Sequence, residues 1–387
     1  MNWTDRYTYN YPTKIRFGKG VIQELPGHLK DQGFKKPLLV SDPGLASLPL
    51  YAQTVSLFEK AGLSVTSFNE IHKNPVKSDV VKGVESYNSS DCDCIVGMGG
   101  GASMDVARAI ALWVNHPKHD LFDFDDAKGG DRFVVNAIPY FITVPTTSGT
   151  GSEVGRSTVI SDDQSHAKKI LFAPSLLARM VFADPELSMG VPAFVTAATG
   201  IDALTHNLEA LIAKGVHPMA EGIAMEGTRL IFESLVEATD KSTLESRAKM
   251  QMAALMGAVA FQKGLGVVHS LAHPLSTVFD MHHGLANAIM LSHGMEFNRK
   301  VSEEKFTRLQ SLCHLPGKGG QDFVKYLRDF NTQIKMPNTL KDNVSSWDEK
   351  ALDRLVDLAI EDPCHQCNPR PVTRQDFKQL YEGAYHA

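Results

Sequence analysis

Hydrophobic positions follow different rules on the two sides of residue 187. Before it, Pro37-Leu38-Leu39-Val40-Ser41-Asp42, Cys94-Ile95-Val96-Gly97-Met98-Gly99 and Phe141-Ile142-Thr143-Val144-Pro145-Thr146 are short apolar runs separated by amphipathic stretches. Each reads as a strand buried on both faces of a parallel sheet, leaving polar residues or glycine at its C-terminal end. After Asp184-Pro185-Glu186-Leu187 the strand signals stop. Apolar residues then recur at helical spacing and predict helices over 192–213, 219–236, 242–262 and 285–298. The expected architecture is an α/β, doubly wound, Rossmann-like domain over 1–187 and an all-helical domain over 188–387, with Pro185 and Pro192 bracketing the change. Asp123 to Asp131, acidic and glycine-containing, predicts a solvated loop.

Candidate chemistry sits on both halves. Gly99-Gly100-Gly101-Ala102-Ser103-Met104-Asp105 follows a predicted strand and opens a helix over 105–114. Without Cβ atoms the glycines let backbone N–H groups approach a pyrophosphate, and the helix N-terminus adds a favourable dipole. Gly97-x-Gly99-x-x-Ala102 matches the dinucleotide fingerprint only loosely, because no acidic residue ends a strand about 20 residues later. Asp42, ending an earlier strand, is better placed to hold ribose hydroxyls, and its carboxylate would repel a 2′-phosphate, favouring NAD over NADP. Alternatively, Asp42 starts an Asx turn before Pro43-Gly44. Pro145-Thr146-Thr147-Ser148-Gly149-Thr150-Gly151-Ser152-Glu153 offers hydroxyls and exposed amides after a second strand.

In the helical half, Asp202 and His206 stand at i and i+4, and so do His269 and His273. Such pairs project from one helix face. Five of the fifteen histidines crowd between 269 and 293. A carboxylate with several imidazoles suits a divalent metal, and neither pair lies in HExxH, so a zinc-protease general base is missing.

Composition narrows the classes. The chain of 387 residues is long enough for two cores, and its net charge of −5 is interspersed, indicating neither a nucleic-acid nor a polybasic membrane surface. Met1 to Arg6 lacks an apolar leader core, and no run approaches the roughly 18 apolar residues that span a bilayer, so a cytoplasmic protein without membrane contact is expected. Five cysteines fit reduced thiols. Cys364-His365-Gln366-Cys367 lacks a partner pair for zinc, since Cys92-x-Cys94 has the wrong spacing.

Taken together, these segments resemble the iron-containing (group III) alcohol dehydrogenase family, whose dehydroquinate synthase-like fold is shared with glycerol dehydrogenase. The resemblance runs nearly end to end. It rests on the Gly99 to Asp105 and Pro145 to Glu153 segments, on Thr196-Ala197-Ala198-Thr199-Gly200-Ile201-Asp202-Ala203-Leu204-Thr205-His206 and on Val268-His269-Ser270-Leu271-Ala272-His273-Pro274-Leu275. His283-Gly284-Leu285-Ala286-Asn287-Ala288 and Asn368-Pro369-Arg370-Pro371 add to it. It implies Asp202, His206, His269 and His283 as metal ligands, selecting His283 over His282, and His273 as the residue on the nicotinamide and proton-transfer side. It implies NAD contacts from Asp42, Asn74, Gly99, Gly100, Gly101, Ser103, Asp105, Thr146, Thr147, Thr150, Lys168 and Leu187. Phe261 and Cys364 are implied in the substrate pocket, and a homodimer or larger homo-oligomer is expected.

The implied reaction is reversible hydride transfer between a small primary alcohol and NAD(H), with a metal polarising the oxygen; the proton leaves through the ribose hydroxyl, His273 or water. The resemblance points to Fe²⁺, while the donor set also accepts Zn²⁺ or another divalent ion. Two departures stand out. Ala102 precedes Ser103 where many members have serine directly after the glycines, so a phosphate hydrogen bond is lost or shifted. Arg156, if it faces the pocket, would pair with an acidic semialdehyde; otherwise it makes a surface ion pair. A dehydroquinate-synthase-like lyase that recycles NAD is the competing reading, but it needs several basic residues and 264–298 offers few.

Overall fold

The computed structural model describes residues 7–10, 13–165 and 167–387; the Met1 to Arg6 stretch, read above for a leader, lies outside them. The chain forms two compact units, one of residues 1–147 and 151–190, the other of 148–150 and 191–387.

The first unit is built on nine strands: β1 (Tyr7–Asn10), β2 (Lys14–Phe17), β3 (Pro37–Val40), β4 (Thr66–Phe68), β5 (Cys94–Gly99), β6 (Tyr140–Pro145), β7 (Ser157–Ser161), β8 (Lys168–Phe172) and β9 (Met180–Ala183). Seven make one sheet in the order β1-β2-β9-β6-β5-β3-β4, parallel throughout except for the antiparallel pair β1–β2. The apolar runs are continuous because both sheet faces are covered. Leu38, Val40, Ile95 and Phe141 pack on one side with the helix Gly101–Val114, while Leu39, Val96, Met98, Ile142 and Val144 pack on the other with residues of Leu25–Asp31 and Pro49–Lys60. Gly97 brings strand and helix together: a Cβ there would lie 2.8 Å from that of Ala107.

Three expectations change. The helix after the glycines begins at Gly101, four residues before Asp105, because Gly100 is its N-cap and accepts from Met104 N at 3.2 Å. β7 and β8 pair as a separate antiparallel ribbon, which the sequence reading did not anticipate. The Asp123 to Asp131 stretch is solvated at Asp126, Ala127, Lys128, Gly129 and Asp131, as expected, but it is not irregular. It coils into three short 3₁₀ turns with Leu121, Phe124 and Gly130 buried, and Asp125, also buried, meets Lys169 at 3.4 Å. The aromatic residues between the acids anchor it.

The second unit is helical. Ala193–Ile212, Pro218–Asp240, Leu244–Ala260, Val267–Phe279 and His283–Asn298 carry the core, followed by Glu303–Leu312, Gly320–Gln333, Glu349–Glu361 and Arg374–His386. Ala193–Ile212 is buried on almost every side, as an all-round apolar helix requires. Asn207 ties it to the third helix by donating to Ala253 O at 3.1 Å. Gly284 has no room for a side chain: a Cβ there would lie 2.2 Å from the carbonyl oxygen of Ala198. Among the described residues no single helix is long and apolar enough to cross a membrane.

Candidate functional site

The helical unit gathers the predicted donors around one carboxylate oxygen. Asp202 and His206 come from Ala193–Ile212, His269 from Val267–Phe279 and His283 from the first position of His283–Asn298. Asp202 Oδ1 lies 3.8 Å from His206 Nε2, 3.7 Å from His269 Nε2 and 3.3 Å from His283 Nε2. The donor atoms of Asp202, His269 and His283 all fall within 4.8 Å of one another. Three ring nitrogens thus surround an oxygen at separations mostly too long for hydrogen bonds, as ligands sharing one ion would. His269 Nε2, which faces Asp202, is buried without a hydrogen-bond partner. An orphaned buried nitrogen is costly unless something else engages it, so the residues present fit a divalent metal.

Neighbours outside the donor set hold it in place. Glu209, fully buried one turn beyond His206, accepts from His269 Nδ1 at 2.6 Å and from Val268 N at 2.6 Å. That bond fixes a His269 proton on Nδ1 and aims Nε2 at Asp202, where a bound metal would displace any second proton. Asn287 donates to Asp202 Oδ1 at 2.8 Å and lies 3.1 Å from His283 Nε2. Burial lowers His206 to about 3 and His283 to about 4, which keeps both rings in the neutral form that binds metal. Burial also works against charge on His269, yet the Asp202 and Glu209 carboxylates push it up to about 9. Burial opposes a charged Asp202, but the surrounding imidazoles hold it well below the usual carboxylate range.

His273 stacks on His283 with ring centroids 5.2 Å apart, and a third of its side chain is exposed. Its Nδ1 meets Asp362 Oδ2 at 2.7 Å; the other Asp362 oxygen accepts from Ser270 Oγ at 2.7 Å and Cys364 N at 2.9 Å. Burial pushes the Cys364 thiol well above its ordinary value, so it stays protonated. Phe261, in the 3₁₀ turn that follows Leu244–Ala260, lies 5.2 Å from the His206 ring.

Within the first unit, Asp42, Gly99, Gly100, Gly101, Ser103, Thr146 and Thr147 come together at the C-terminal ends of β3, β5 and β6. Gly99 has φ +146, and a Cβ on it would strike Ser103 and lie 3.3 Å from Asp42 Oδ2. Asp42 accepts from Leu45 N at 2.9 Å, the Asx-type cap that sequence offered as its alternative, and from Ser103 Oγ at 3.0 Å. Ser103 is buried with its hydroxyl on Asp42. Asp105 faces inward to a network: one oxygen takes Arg108 at 3.2 Å and Ser152 Oγ at 2.9 Å, the other Val159 N at 3.1 Å. Asn74, exposed, follows β4 in a loop tied down by Asp79, which accepts from His72 N and Val76 N. Lys168 starts β8, Leu187 is buried in a 3₁₀ turn, and Thr150 belongs to the helical unit. Arg156 lies over the Phe172 ring at 5.7 Å.

Residues 12–185 match the model described as iron-containing alcohol dehydrogenase, and residues 196–385 match its C-terminal counterpart. The chain belongs to the iron-containing alcohol dehydrogenase family. It is an oxidoreductase of that type. A 4-hydroxybutyrate dehydrogenase of Cupriavidus necator is 34% identical over 383 residues, spanning 96% of this chain and 98% of that protein. An NAD-dependent methanol dehydrogenase of Bacillus methanolicus is 32% identical, spanning 96% and 98%. The crystal structure of a 1,3-propanediol oxidoreductase superposes with a TM-score of 0.91 at 31% identity, covering 99% of this chain and 100% of that one. The family and fold implied by the motifs are therefore those found.

Sequence reading overlooked Glu209, Asn287 and Asp362. The first two carried a signal: Glu209 stands at i+7 from Asp202, and Asn287 at i+4 from His283, each on the donor face of its helix. Asp362 carried none, being 89 residues from His273.

Proposed function

We propose that this chain is an NAD-dependent dehydrogenase of small primary alcohols, reversible as an aldehyde reductase, with a divalent metal, iron in keeping with the family, held by Asp202, His206, His269 and His283. The observation that carries the reading is the buried Asp202 oxygen ringed by three imidazole nitrogens, with His269 Nε2 left without a hydrogen-bond partner. When bound, a divalent metal supplies Lewis-acid polarisation of the alcohol or carbonyl oxygen. NAD supplies the hydride acceptor.

The residues of the chain do the rest. One carboxylate and three neutral imidazoles offset only one of two positive charges, so the donor set retains an attraction for an anionic oxygen. Asp362 fixes His273 with its proton on Nδ1, leaving Nε2 as the atom that accepts or passes a proton. Cys364, held as a neutral thiol, and Phe261 give the pocket weakly polar walls. Asp42, already carrying Ser103 Oγ and Leu45 N, presents a carboxylate where a ribose would lie and disfavours a 2′-phosphate. Substrates named for the relatives, methanol, 1,3-propanediol and 4-hydroxybutyrate, all end in a primary hydroxyl. The last keeps an acidic substrate as a second reading.

The test is NADH formation by protein reconstituted separately with Fe²⁺ and Zn²⁺, on ethanol, 1,3-propanediol and 4-hydroxybutyrate, with NADP in parallel. Metal-dependent NADH formation that favours NAD is expected. Full activity in protein verified as metal-free, or no net NADH from any alcohol, overturns the proposal; the second outcome would favour an NAD-recycling lyase.

A further inference from the structure

Away from the metal donors, the helical unit has a hollow of about 760 Å³ between the end of His283–Asn298, the helix Gly320–Gln333 and the segment leading into Arg374–His386. That volume lies in the range of small-molecule sites. Its lining is cationic: Arg299, Lys300, Arg328 and Arg370 contribute, with His293 beside them and Glu296 as the only carboxylate. Glu296 is taken by Arg299, whose Nε donates to it at 2.9 Å. Arg370 reaches Asp376 at 3.5 Å, and its guanidinium carbon lies 3.8 Å from the centroid of the Phe297 ring. Lys300 and Arg328 have no carboxylate partner among the described residues; Arg328 Nε makes one long bond of 3.4 Å, to Ser292 Oγ. Burial lowers His293, against the hydrogen bond it shares with the Asn338 carbonyl, and the Arg328 charge adds to that lowering.

Lys300 and Arg328, solvent-exposed and left without a counter-charge while Arg299 and Arg370 have theirs, give the hollow an excess of positive charge that an anion relieves. The cations come from three separate segments, so they approach an occupant from several sides. A tetrahedral phosphoryl group offers oxygens in those directions, whereas a planar carboxylate suits a single guanidinium fork. We propose that this hollow is a binding site for a phosphoryl dianion, held chiefly by Arg328, Lys300 and Arg370 and separate from the metal and nucleotide sites.

The metal-loaded enzyme, with NAD saturating so that the glycine cradle is filled, is titrated calorimetrically with inorganic phosphate and with succinate, chloride holding ionic strength constant. Saturable phosphate binding is expected, weaker by about tenfold in each of Arg328→Ala and Lys300→Ala, since each removes one charged hydrogen bond. Succinate is expected to bind at least about tenfold more weakly than phosphate. Lys350→Ala, an exposed cation on another helix, leaves binding unchanged. No saturable phosphate binding above chloride, phosphate binding unaltered in Arg328→Ala and Lys300→Ala, or succinate binding as tightly as phosphate overturns the proposal.

Discussion

Among the metal donors Glu209 hydrogen-bonds His269 alone, and its two bonds set the ring of His269 and the backbone N of the preceding Val268. A carboxylate on the far nitrogen of a ligating imidazole fixes the tautomer and raises ligand basicity. Glu209→Gln keeps the shape but removes the charge, and one amide arm of glutamine donates where Val268 N also donates. Metal affinity is expected to fall by about 10–100-fold with the fold retained. Titration of metal-stripped protein with Zn²⁺, alongside circular dichroism, checks it; unchanged affinity would mean that Glu209 only fills space. The donors themselves were legible because helices put chemistry at fixed spacings, and Glu209 was readable by the same rule one turn further. Asp362 was not, since its partnership with His273 exists only after distant segments pack.

At the scale of elements, periodicity located the long helices and the three central strands because burial on both faces leaves continuous apolar runs. It failed where packing decided the outcome. The helix start at Gly101 follows from a backbone bond to Gly100, and buried Phe124 and Asp125 anchor an acidic stretch that is otherwise largely exposed. Gly284 shows how closely elements must fit at the site. It follows His283 directly, and its missing Cβ lets the helix rest on the Ala198 carbonyl, four residues before Asp202. Gly284→Ala must push the His283 helix away from the Asp202 helix, so metal affinity is expected to drop by at least about tenfold, with a lower melting temperature. Metal content after dialysis and a thermal melt read both effects; wild-type metal retention would show that the two helices have slack.

Glu153 makes a second element-scale case. It closes the Pro145 to Glu153 segment, buried, with Oε1 lacking a hydrogen-bond partner. Burial raises it from 4.5 to about 7, against the opposing pull of Arg108. Folded protein therefore keeps this proton up to about pH 7, whereas the unfolded chain releases it near 4.5, so its contribution falls as pH rises through that window. Glu153→Gln lacks this loss. Its stability relative to wild type is expected to climb between those pH values and level off above them, by up to about 3 kcal/mol. Urea midpoints at pH values spanning the window test the sign; a difference independent of pH would show an ordinary carboxylate.

For the whole molecule, the distribution of chemistry matters more than its parts. All four proposed metal donors belong to the helical unit, while Asp42, the glycines, Ser103, Thr146 and Thr147 belong to the sheet unit. A metal held by three helices cross-links that unit alone, and a ligand present at 100 times its dissociation constant stabilises the state it binds by about 2.7 kcal/mol. Local opening reports such stabilisation where it acts. Chelating the metal is therefore expected to speed amide exchange in Ala193–Ile212, Val267–Phe279 and His283–Asn298 while leaving β3, β5, β6 and Gly101–Val114 unchanged. Adding NAD to the metal-free protein should do the converse, slowing exchange around Gly99 to Ser103. Hydrogen exchange read by mass spectrometry separates the two effects. If chelation loosened both units equally, the metal could not be held by these four donors alone, because none of them lies in the sheet.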